Sequence, residues 1–176
     1  MIKNLIQILK NDNILIDKKN IVNFNKNSNP KDSIYPISVF IFENPKINHN
    51  TRLKCHLELI KISKQKRCNF SIAHNLNLSS RVYSVLGFNN EAIKNDLDAL
   101  KIWKKIKNEP LAINGEISSY ANLGYIYLEL GLFKKALLYS TLPFFLDKLV
   151  FVMAFTNNLF LISDDIIFSI AGTTNN

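Results

Sequence analysis

The stretch Tyr120-Ala121-Asn122-Leu123-Gly124-Tyr125-Ile126-Tyr127-Leu128-Glu129-Leu130-Gly131-Leu132-Phe133-Lys134-Lys135-Ala136-Leu137 decides how this chain is read. Ile117, Tyr120 and Leu123 fall three apart, and Tyr127 and Leu130 continue the same face after a step of four. That spacing predicts a helix with one apolar stripe. Gly131 follows, where a left-handed residue commonly ends a helix, and Ala136 and Tyr139 begin another short helix that Pro143 would cut or kink.

The pattern occurs twice. Tyr83, Leu86, Gly87 and Ala92 recur as Tyr127, Leu130, Gly131 and Ala136, each pair 44 residues apart. Each Tyr sits one turn before its Leu, each Gly provides a turn, and each Ala falls early in the second helix, where a small side chain allows close approach. Gly87 and Gly131 are therefore expected at positive φ, and Ala136 is expected buried near Gly124 and Tyr127. Upstream, Leu53, Leu57, Ile60 and Lys64 share a face that Leu59 and Ile62 widen. Phe70, Ala73, Leu76, Ser80, Tyr83 and Leu86 make a second stripe, and Leu97, Leu100, Trp103 and Ile106 a third. Such a hairpin cannot bury its apolar face alone, so it stacks on its neighbours.

The Leu123-Gly124 pair, with Tyr127, Gly131 and Ala136 in register, resembles a tetratricopeptide repeat. The resemblance is good over 117–140 and fair over 70–109, where Ser79-Ser80 replaces Leu-Gly. The spacing of 44 is longer than the usual 34 of that family and is similar to the longer-helix variety of bacterial regulatory proteins. The extra residues, about 107–116, include Pro110 and Gly115. A degenerate third repeat would occupy 36–68, without Gly or Ala in the expected places. The resemblance implies an all-α fold, with antiparallel hairpins stacked as a short solenoid over 51–142. It also implies a protein-binding groove lined by the inner faces of the first helices. On the family pattern those faces carry His74, Asn77, Leu78, Arg81 and Val85, then Ser118, Ala121, Asn122, Tyr125 and Glu129. The site residues expected to meet a partner are His74, Asn77, Arg81, Ser118, Asn122, Tyr125 and Glu129. These do not reproduce the paired Lys, Asn and Arg that clamp a C-terminal carboxylate in that family.

The segments outside the repeats read less clearly. Residues 1–50 have no defined fold from sequence. Ile2, Leu5, Ile6 and Leu9 have helical spacing, whereas 37–42 is apolar and partly β-branched, so strand and helix both suit it. Residues 143–176 form a very apolar segment with a polar tail. Its core, 149–162, is expected to be helical, too short to span a bilayer and suited to self-association.

Composition sets the outer limits. The chain has 176 residues, 22 basic and 14 acidic, for a net charge of +8. The 24 Asn, 23 Ile and 19 Lys against 3 Arg indicate an AT-rich coding background. All of the excess charge lies in residues 1–67, which hold 13 basic and 5 acidic side chains. The basic 46–67 segment is the ground for an alternative reading, binding to nucleic acid or an anionic surface. Lys dominance argues against it, because bidentate phosphate and base contacts favour Arg. Two Cys exclude a disulfide scaffold and fit a reducing, cytoplasmic setting.

Catalytic signatures are missing. No phosphate-binding Gly loop or Gly-x-Ser-x-Gly elbow is present. His49, Cys55, His56, Cys68 and His74 have no metal-site spacing, and Cys55 and Cys68 read as small buried hydrophobes. The sequence thus predicts a protein-interaction module whose partner is another protein or peptide, with no catalytic residues, metal or cofactor.

Overall fold

The computed structural model describes residues 2–11, 13–14, 30–106, 108–109 and 111–142. All of them fall in the first of the two units into which the chain divides, 1–146 and 147–176. The expectations for 143–176, including the 149–162 helix and the effect of Pro143, lie outside the described residues.

The described residues are all-helical, with no strand among them. The helices are α1 (Ile2–Asn11), α2 (Pro30–Glu43), α3 (His49–Gln65), α4 (Asn69–Val85), α5 (Asn89–Trp103) and α6 (Ala112–Glu129), followed by α7, residues 133–142. None is long and apolar enough to cross a membrane. From α2 onward each helix packs on the next, α1 docks on α3, and α4 also meets α2 and α6.

Residues 37–42 are helical despite their β propensity. The buried positions are Ile34, Ile37 and Ile41, spaced three and four apart, so the run faces the core with a helical period. A strand here would have no partner, and tertiary packing overrides the local preference. Pro36 lies within α2 on its exposed side, where it removes one backbone donor from the early turns.

In α3 the buried face differs from the expected stripe. Leu59 and Ile62 are fully buried beside Cys55, His56 and Ser63, whereas Leu57 is 41 % exposed. Of the expected stripe Ile60 is buried, at 7 % exposure, and the widening residues supply the rest of the apolar core. Half of that face is carried by small or polar side chains, which hydrophobic periodicity does not register. Asn48 caps the helix through its side chain, which accepts from the Thr51 N–H at 2.9 Å.

Four helix ends share one geometry. After α4, the Gly87 N–H bonds to Ser84 O and the Phe88 N–H to Tyr83 O. After α6, Gly131 bonds to Leu128 O and Leu132 to Tyr127 O. These are paired Schellman bonds around a left-handed residue, with φ +81° at Gly87 and +69° at Gly131, as expected. After α3 the same bonds form around Arg67 (φ 52°), and after α1 around Asn13 (φ 58°). Gly131→Ala would meet no neighbour within 4 Å, so its cost is conformational alone. We expect about 1–2 kcal/mol from urea denaturation; an unchanged midpoint would contradict the strain.

The 44-residue spacing extends to contacts between helices. Ser80 Oγ donates to Ala92 O at 2.9 Å and lies 2.5 Å from Asp96 Oδ2. Forty-four residues on, a Cβ added to Gly124 would fall 3.5 Å from Ala136 O and 2.5 Å from Ser140 Oγ. Positions 80, 92 and 96 thus meet as 124, 136 and 140 do. Ala92 and Ala136 are both buried, the latter in a cluster with Leu123 and Tyr127.

Candidate functional site

A cleft of about 430 Å³ opens between α4 and α6. On α4, His74, Asn77, Leu78 and Arg81 recur at three and four and face it together; α6 contributes Ser118, Ala121 and Asn122 in the same way. Tyr35 from α2 and the rings of Phe70 and Trp103 close its inner end. The structure therefore brings five of the seven expected groove residues, His74, Asn77, Arg81, Ser118 and Asn122, to one cavity. Tyr125 lines an adjoining depression of about 330 Å³ with Arg81, Val85 and Asn122. Glu129, the last residue of α6, is exposed and lines neither.

The floor is a polar network that the sequence reading missed. Asp96, on α5, is fully buried. Its Oδ1 accepts from Asn77 Nδ2 at 2.9 Å and from Asn122 Nδ2 at 3.2 Å, and its Oδ2 meets the Ser80 hydroxyl. Asn77 spends its second amide hydrogen on Ser119 Oγ at 2.6 Å, and its carbonyl accepts from Trp103 Nε1 at 2.7 Å. Burial pushes the Asp96 carboxyl up to about 7, against the pull of these hydrogen bonds and of the Arg81 charge. The signal was present in the sequence. Ala92, Asp96, Ala99 and Trp103 are spaced four, three and four apart, which puts an acid in the middle of a buried face.

At the inner end His74 stacks on Phe70, with ring centroids 6.1 Å apart and planes 9° apart, and tilts against Tyr35 at 4.7 Å. Its Nε2 is buried without a hydrogen-bond partner among the described residues. Burial holds this imidazole down at about 4, so it is neutral at pH 7. Trp103 packs edge-on to Phe70 at 5.4 Å. Its indole also lies against Gly115 of α6, where an added Cβ would fall 2.3 Å from Trp103 Cε2. Gly115 is one of the extra residues, about 107–116, that lengthen the repeat; α5 ends at Trp103 and α6 begins at Ala112, so half of those residues belong to α6. Gly115→Ala must displace a buried, rigid ring, and overpacking of that kind costs about 1–3 kcal/mol. A thermal melt within error of the parent would show that α6 does not approach Trp103 this closely.

At the outer end the Arg81 guanidinium lies over the Phe42 ring, 4.5 Å from its centroid. Arg52 approaches the same ring at 5.9 Å and donates from Nε to Ile41 O and from Nη2 to Asn44 O. It thereby satisfies carbonyls at the end of α2. Within the basic 46–67 segment, Arg52 is thus engaged with the fold and Lys61 approaches Glu58 at 3.8 Å, while Lys46, Lys54, Lys64 and Arg67 are exposed.

The remaining chemical candidates are dispersed. Cys55 is buried in the first core cluster, and Cys68 Sγ donates to Ser71 Oγ. His56 is fully buried, with Nδ1 donating to Asn75 Oδ1 at 3.0 Å, because the Asn75 amide is committed to Ser71 O. Among the described residues no three His, Cys, Asp or Glu side chains cluster to hold a metal.

Beyond the cleft, α6 and α7 enclose an apolar depression of about 590 Å³ lined by Tyr125, Leu128, Phe133 and Leu137. Phe133 and Leu137 are 68 % and 67 % exposed. Leu137 stands 44 residues after Ile93, which packs against the cluster of Leu100, Tyr120 and Leu123.

No protein-family profile, curated protein or solved structure matches the chain.

Proposed function

We propose that the chain is a short tetratricopeptide-like array of helical hairpins that binds a peptide or helix of a partner protein in the cleft between α4 and α6. The observation that carries this reading is the cleft itself. Its walls come from two helices that contribute residues 44 apart in the sequence, His74 with Ser118 and Leu78 with Asn122. The shared contacts at 80/92/96 and 124/136/140 and the matched glycine turns support the hairpin repeat. A pre-formed concave surface needs little ordering on binding, which favours recognition of an extended or helical segment.

The cleft also specifies ligand chemistry. The aromatic inner end suits an apolar side chain. Arg81 at the outer end has no ion pair within 4.0 Å among the described residues and suits an acidic one. The alternative along 46–67 is weakened because Arg52, one of its two Arg, is engaged with backbone carbonyls.

The test is selection from a displayed random-peptide library on the full chain, followed by anisotropy titrations. Enriched peptides should carry an acid near an apolar residue. Arg81→Glu, and Ala121→Trp to fill the cleft, should each weaken them by about tenfold or more. If no peptide is enriched, or the parent and both variants bind alike, the cleft is not the binding site.

A further inference from the structure

We propose that Asp96 is a proton-operated pin: held as the neutral acid where α4, α5 and α6 meet, it fixes Asn77 and Asn122, and loss of its proton reshapes the cleft. This rests on the reading of the cleft as a binding site and adds a means of regulating it.

Asp96 is buried without a counter-ion, and one placement of hydrogens lets the Ser80 hydroxyl make both of its short contacts. Ser80 has one hydroxyl proton and two oxygens in reach, Ala92 O at 2.9 Å and Asp96 Oδ2 at 2.5 Å. It cannot donate to both. If Oδ2 carries a proton and donates it to Ser80 Oγ, Ser80 donates onward to Ala92 O and both contacts are satisfied. Oδ1 then accepts from Asn77 and Asn122, Asn77 donates its other hydrogen to Ser119, and Ser119 donates to Gly115 O. Apart from the second Asn122 amide hydrogen, each side-chain donor of this network then has an acceptor.

The surroundings agree. Asp96 is fully buried and has no ion-pair partner within 4.0 Å among the described residues. A buried carboxyl without a counter-ion takes up a proton rather than carry its charge. Arg81 on α4 is the charged group that acts on it, and it sits over Phe42 instead of pairing. On α5 itself, Glu91, Lys94 and Lys101 are exposed, and Asp98 pairs with Lys101. From α6, Asn122 and Ser119 face the network, while Glu116 acts on Lys104. His74, one turn before Asn77, faces Tyr35 and Phe70.

Ionisation turns the Ser80 hydroxyl from Ala92 O to Asp96 Oδ2 and puts a charge without a counter-ion where water does not reach. Asn122 is the half-buried member of the network that also lines the cleft, so rehydration of the carboxylate runs past it. Its amide shifts, and with it the wall that would contact a ligand.

The experiment is an NMR titration of the unmodified chain that follows the Asp side-chain carboxyl carbons, the Asn122 amide and the Trp103 indole N–H. The Asp96 midpoint should lie about two units or more above the usual carboxylate range. The Asn122 and Trp103 signals should move with that same midpoint. Arg81→Gln should raise it further. An Asp96 midpoint in the ordinary range, or an Asn122 signal indifferent to it, overturns the proposal. Peptide affinity measured across the same pH range separates the two readings. Affinity that tracks the midpoint supports both, and affinity flat through it overturns the pin but leaves the binding site. Coupled titration of Asp96 and Asn122 without any peptide binding leaves the pin standing and removes only the binding role.

Discussion

Trp103→Ala is expected to cost about 3–5 kcal/mol, the range for removing a fully packed aromatic from a core. Three losses coincide at this site. The indole is 2 % exposed and fills the space among Phe70, Ala73, Ala99 and Ala112, so its removal leaves a large cavity. Its N–H is the donor to Asn77 Oδ1, which would remain buried without it. It is also the surface against which Gly115 sets the approach of α6. Trp103→Phe separates these effects, because it keeps much of the volume and removes only the donor. Its cost should be roughly 1–3 kcal/mol, nearer that of an unsatisfied buried acceptor. Far-UV circular dichroism in urea is the right probe, since Trp103 is the only Trp of the chain. A loss below about 1 kcal/mol for the Ala variant would mean the ring is not a core member.

The second large effect is on stability against pH. Asp96 has its carboxyl raised from 3.8 to about 7 in the folded chain. The folded state therefore holds this proton where the unfolded chain has released it. The resulting stabilisation is complete below the unfolded value and is lost as pH rises through about 7. Between the two limits it amounts to on the order of 4 kcal/mol. His56 and His74 act with the opposite sign. Each is lowered from 6.5 to about 4 by burial, so their stabilisation is present above 6.5 and is lost as pH falls through 4. The parent profile is thus two opposed trends. Asp96→Asn removes one of them. Relative to the parent, the variant should gain stability steadily between about pH 4 and 7 and keep that gain above. A difference between variant and parent that stays constant across this interval would mean Asp96 titrates as an ordinary surface acid.

What the sequence disclosed and what it hid have physical causes. A turn that requires positive φ leaves a mark when glycine fills it, and a close helix contact leaves one when alanine does. Gly87, Gly131, Ala92 and Ala136 made the 44-residue spacing legible for that reason. The resemblance to a tetratricopeptide pattern then put His74, Asn77, Arg81, Ser118 and Asn122 on inner helix faces, and these five residues line one cleft. The same turn built with Arg67 or Asn13 leaves no such mark, so the ends of α3 and α1 were not foreseen. The role of Gly115 was not legible, because nothing local distinguishes a glycine that admits an indole from one that bends the chain. Asp96 was hidden because an acid within a helix is ordinarily solvated; only the apolar or small residues on both sides of it along one face identify it as buried. The core side of α3 was hidden by Cys55, His56 and Ser63, which packing uses as readily as leucine.

The Phe42 ring, flanked by the Arg52 and Arg81 guanidinium groups, bears on how this chain uses arginine. With 19 Lys beside 3 Arg, positive charge in this chain is supplied almost entirely by lysine. Two of the three arginines meet at one aromatic ring. Arg52 reaches two carbonyls at once with a planar fork that a single ammonium cannot reproduce. In a chain this rich in lysine, an arginine is itself a structural marker: it stands where a planar fork, rather than a point charge, is what the fold uses.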